Sequence, residues 1–88
     1  MSDQNTGLVE RIEALTHQDN RLDVLCEVAL FEPDTCFIAC RPNNAGTKVV
    51  YQDWAGNDVT CWAQSWTADN RRAATIEAIR DRIKALTA

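Results

Sequence analysis

The sequence predicts an α+β domain: a three-stranded antiparallel meander packed against helices, in the order α-α-β-β-β-α. Three observations predict it. Apolar residues recur at helical spacing in two stretches near the start and in one at the end. Between them lie three short runs rich in β formers, separated by Pro-Asn-Asn-Ala-Gly and Ala-Gly-Asn-Asp turns. The 88 residues suffice for one core, and no repeat, low-complexity tract or linker divides them, so residues 1–88 are expected to form a single domain.

Each element follows from local chemistry. Met1–Thr6 is polar and is expected to be a disordered tail. A helix should begin near Gly7, with Leu8, Ile12 and Leu15 on one face and Val9 beside them. Thr6 is a candidate N-cap, with Glu10 in capping-box reach. His17-Gln18-Asp19-Asn20 breaks the pattern. A second helix is expected over about Asn20 to Phe31, striped by Leu22, Leu25, Cys26, Ala29 and Leu30. Asp19 or Asn20 would cap it and Pro33 would end it. Strands are expected over Cys36–Arg41, Thr47–Trp54 and Val59–Trp66. The last helix should run from about Asp69 to Leu86, with Ile76, Ile79, Ile83 and Leu86 inside. Thr67 or Asp69 can cap its start. Arg80, Arg82 and Lys84 suit the negative end of its dipole.

Charge and cysteine content narrow the function classes. The net charge of −4 argues against direct nucleic-acid binding. Residues 1–35 carry a net −6 and residues 36–88 a net +2, an asymmetry that can steer association with a basic surface. Solvated helix faces give the same count. The opening residues are polar and no apolar run approaches membrane-spanning length, so a cytosolic location without membrane contact is expected. Cys26, Cys36, Cys40 and Cys61 should then be reduced, and their apolar neighbours suit small buried groups. With no C-x-x-C pair and His17 as the single imidazole, neither a metal nor a cofactor is expected. No nucleophile-elbow, phosphate-loop or dinucleotide glycine pattern occurs, so an enzyme is not expected.

Two constellations are candidates for binding a protein partner. With Gly56-Asn57 as hairpin tip, Trp54 would face Val59. Val49 and Tyr51 would then share a sheet face with Trp62 and Trp66. Val50, Trp54, Val59, Cys61 and Ala63 would lie on the other. Both faces would be apolar, so either the helices cover both or one awaits a partner. Tyr51, Trp62 and Trp66 are the candidate anchors. The second constellation is Asp19, Asp23 and Glu27, spaced by four along the second helix. Such a row can imitate DNA phosphates in a basic groove, or be a solvated face. Arg71-Arg72 opposes the dipole of the last helix, a conflict that pairing with Asp69 would relieve.

The segments Leu8-Val9-Glu10-Arg11-Ile12-Glu13-Ala14-Leu15, Arg21-Leu22-Asp23-Val24-Leu25 and Ala73-Ala74-Thr75-Ile76-Glu77-Ala78-Ile79-Arg80 resemble short uncharacterised phage and prophage proteins. Some of these are described as phage sandwich-type domains. In size, acidity and α+β composition the chain looks like the anti-CRISPR proteins. The resemblance implies a phage-encoded inhibitor in the host cytosol that binds a bacterial CRISPR–Cas effector subunit and blocks target DNA binding. A homo-oligomeric phage accessory protein, with the aromatic sheet face as a dimer seam, is the alternative.

Overall fold

A computed structural model describes the backbone of residues 3–87 and the side chains of residues 7–85. Its order is α1 (Asp3–Glu13), α2 (Asn20–Leu30), β1 (Phe37–Pro42), β2 (Val49–Asp53), β3 (Asp58–Cys61) and α3 (Arg72–Thr87). The fold is α+β, with one antiparallel sheet in the strand order β1-β2-β3.

The helical stripes meet as the spacing predicts. Leu8, Val9 and Ile12 of α1, Leu22 and Cys26 of α2, and Ile79 of α3 form one buried cluster. Leu15, Leu25, Ala29, Leu30, Ile76 and Ile83 pack around it. The side chain of Leu86, also expected there, lies outside the described residues, as does that of the proposed cap Thr6. The helix begins earlier than expected. Residues 3–6 belong to α1 and Gly7 sits inside it, which corrects the disordered tail for those residues; residues 1 and 2 lie outside the description. Asp19 caps α2 by accepting the N–H of Leu22 at 3.0 Å. α3 begins at Arg72, because a tight turn occupies the residues between Ser65 and Arg71.

The helices stand in two layers beside the sheet. Among the described residues, only α2 touches the strands, while α1 and α3 pack on α2 and on each other. α2 is therefore a middle layer. It buries Leu22 and Cys26 toward the helices, and it also buries Val24, Asp23 and Glu27. A helix enclosed on more than one side has less solvent-facing surface on which to place its charges.

The hairpin register differs from the expected one. Asp53 accepts backbone N–H groups from Ala55 at 2.9 Å and Asn57 at 2.8 Å, and Gly56 takes φ +90°. This makes a three-residue Trp54-Ala55-Gly56 connection closed by a left-handed glycine. Tyr51 consequently pairs with Val59 and Val49 with Cys61. The shift is odd, so it exchanges faces. Val49, Tyr51, Val59 and Cys61 lie toward α2, whereas Val50, Thr60 and Trp62 lie on the outer face. The proposed grouping of Tyr51 with Trp62 and Trp66 on one face is thereby corrected. β3 is also shorter than expected, because the chain leaves the sheet after Cys61 to cross α2.

Candidate functional site

The crossing is made by buried carboxylates. Glu27 is 8% exposed and Asp23 1%. Glu27 Oε1 accepts the indole N–H of Trp66 at 2.6 Å and the backbone N–H of Gln64 at 3.1 Å. Its Oε2 accepts the hydroxyl of Tyr51. Asp23 Oδ1 accepts both the N–H and the hydroxyl of Thr67 at 2.7 Å, and Oδ2 accepts Gln18 Nε2–H at 2.9 Å. The backbone N–H of Asp19 donates to Thr67 Oγ1 at 2.9 Å. Buried charge is tolerable when so many donors surround it. Among the described residues, no buried side-chain nitrogen or oxygen lacks a partner.

Five of the six candidate contact residues thus come together, with Asp23 and Glu27 buried and Asp19, Tyr51 and Trp66 half-buried around them. Asp19, Asp23 and Glu27 do not form a solvent-facing row. The spacing by four held, but the face they share meets the Gln64–Thr67 crossing, so the phosphate-imitating stripe is corrected to a fastening. Tyr51 and Trp66 are drawn in with it. Arg71 stacks its guanidinium 4.5 Å from the Trp66 ring centre. Arg72 pairs with Asp69 at 2.7 Å and donates to the carbonyls of Thr67 and Leu15. These contacts offset the unfavourable dipole position of both arginines. Thr67, considered only as a helix cap, is a central member of this network; no local pattern in the sequence marks it out.

Titrating groups near Glu27 are held neutral. Burial, and then the bond to Glu27, raise the Tyr51 phenol well above its ordinary value. Phe31 and Phe37 pack beside it, with ring centres 5.8 and 5.0 Å away. Burial, helped by the Glu27 charge, pushes the Cys40 thiol up to about 11 and raises that of Cys61. Cys26, inside the helical core, is pushed up to about 12 by burial and then by Asp23. All four cysteines are free. Cys40 and Cys61 share the inner face, but β2 lies between them. Two strand spacings amount to about 9.5 Å, beyond the span of a disulfide. His17 is exposed and shares a hydrogen bond with the neighbouring Thr16 hydroxyl. Among the described residues, no group of three or more metal-ligating side chains is placed to hold an ion, and no helix is long and apolar enough to cross a membrane.

The sixth candidate, Trp62, stands apart on the outer face, 66% exposed. Lys48 lies over its ring, 4.6 Å from the centre. Across the same face, Arg41 reaches past β2 to Asp58 at 2.8 Å. Between these two pairs Val50 is only 7% exposed. Trp54, 61% exposed, projects from the hairpin tip and donates its indole N–H to the carbonyl of Asp34 at 2.8 Å. The outer face is therefore amphipathic, with the wide aromatic surface of Trp62 among paired charges. Sequence reasoning missed Lys48, Arg41 and Asp58, because their placement depends on the hairpin register. Compared with family models, with curated proteins and with solved structures, the chain finds no match in any of the three.

Proposed function

We propose that this chain is a protein-binding inhibitor that occupies a surface of a larger complex, with the outer sheet face as its contact. The observation that carries this reading is the exposure of Trp62 on the side of the sheet that no described helix covers, with Trp54 exposed at the hairpin tip. Tryptophan is the commonest anchor of binding energy at interfaces, and arginine and paired charges suit the rim. Arg41, Lys48 and Asp58 supply such a rim. Following the resemblance to small phage proteins, the proposed partner is a bacterial CRISPR–Cas effector subunit, and the proposed effect is steric occlusion of target DNA. Asp19, Asp23 and Glu27 hold the domain together in this reading, while Trp62 and Trp54 make the contact.

The test is target-DNA binding by purified effector complexes, with and without the chain. Inhibition by the parent protein, weakened about thirtyfold by Trp62→Ala at unchanged unfolding midpoint, is the expected result; that factor corresponds to about 2 kcal/mol. Undiminished DNA binding across the complexes would remove the inhibitor reading. Inhibition indifferent to Trp62→Ala would move the contact elsewhere.

A further inference from the structure

The two edges of the sheet are built differently. Asn43 donates its N–H to the carbonyl of Lys48, and Asp53 donates to that of Asn57. These bonds fix which backbone groups point where, because direction alternates along a strand. In β2, even-numbered residues bond to β1 and odd-numbered ones to β3. The outward groups of β1 are therefore those of Cys40 and Pro42, and those of β3 are Asp58 and Thr60, with Trp62 following.

The β1 edge carries two devices that prevent strand addition. Pro42 occupies an outward position and has no N–H to offer. A register irregularity lies between Phe37 and Ala39. The β3 edge has neither proline nor bulge, and every residue from Asp58 to Thr60 is exposed. An unprotected edge is a template for another strand.

We propose that this edge pairs with the same edge of a second copy. The two β3 strands run antiparallel about a two-fold axis at Thr60 and form one six-stranded sheet. The pairing is self-complementary. Thr60 faces Thr60 of the second copy, a favourable cross-strand pair. Asp58 faces Trp62 of the second copy and so comes beside the Lys48 ammonium that rests on that ring. The two-fold repeats this opposite-charge contact. On the inner side Val59, 47% exposed because α2 does not reach β3, meets Cys61 of the second copy. An isologous interface requires this matching of a patch with itself. The inference is independent of the inhibitor reading, and the dimer leaves both outer faces on one continuous surface.

Sedimentation equilibrium of the chain alone tests it. The expected mass is twice the 9.9 kDa of one chain, at concentrations up to about 0.5 mM, since a short edge gives modest affinity. Thr60→Lys, which sets two ammonium groups together at the axis, should raise the dissociation constant at least about tenfold with an unchanged circular dichroism spectrum. Thr60→Pro removes an outward N–H only and should give a monomer; if it does not fold, Thr60→Lys decides. A parent chain that stays at 9.9 kDa, or variants that dimerise as the parent does, would overturn the proposal. DNA-binding inhibition is read separately, so a monomer that inhibits overturns the dimer alone.

Discussion

Glu27 receives the indole N–H of Trp66 at 2.6 Å, across 39 positions of chain. The same carboxylate takes the hydroxyl of Tyr51 and the backbone of Gln64. One side chain of α2 thus joins the middle strand to the segment that returns toward α3. The distribution of stability in the domain follows from this joint.

Glu27→Gln keeps the shape but replaces one acceptor oxygen by an NH₂ group that faces donors. We expect a loss of about 2–3 kcal/mol, the worth of hydrogen bonds to a charged group with a partner left unpaired. Urea unfolding measures it. Tyr51→Phe removes a single donor and should cost about 1.5 kcal/mol. The double variant should cost less than the sum, because both act on one carboxylate.

Thr67→Val tests the second fastening. It deletes the hydroxyl that donates to Asp23 and accepts from Asp19. A cost of about 2 kcal/mol is expected, and Thr67→Ser should recover most of it. A valine variant as stable as the parent would show that the carboxylate finds another donor.

Alkaline pH should unfold the protein. Cys40, Cys26 and Tyr51 all have folded-state values above their ordinary ones. Their contribution is whole below the ordinary thiol value of 9.0. Above it the unfolded chain loses protons that the folded chain retains, so stability falls with rising pH. Cys40→Ser should flatten the fall between pH 9.0 and about 11. Tyr51 is the single tyrosine, so tyrosinate absorbance reports it directly and should appear only as the fold is lost.

Thiol labelling of the native protein should be ordered. Cys36 is exposed and Cys26 fully buried, with Cys40 and Cys61 between. Cys36 should react first and Cys26 only on unfolding, as mass spectrometry of digested samples would resolve. Early modification of Cys26 would mean that the helical core opens locally.

The helices were legible because their apolar spacing is tertiary information in local form. Leu8, Ile12, Leu22, Cys26 and Ile79 pack where the period places them. The Asp19 cap was equally local. The sheet faces were not, since a turn type decides them. Asp53 as an acceptor moved the hairpin register by an odd step and carried Trp62 away from Tyr51. Asp23 and Glu27 read as surface charges because nothing nearby in sequence shows that α2 is enclosed. Their donors come from residues 64 to 67, and only the assembled fold brings those within reach.

The helical core has a temporal consequence. Ile79 of α3 fills the space between Leu8 and Ile12 of α1 and Leu22 and Cys26 of α2. Until α3 docks, the apolar stripe shared by α1 and α2 lacks the wall that Ile79 supplies. The strands do not supply this wall, because among the described residues α1 does not touch the sheet. Closing the core therefore requires contacts between residues far apart in sequence, such as those of α1 with Ile79, and contacts of that separation slow folding.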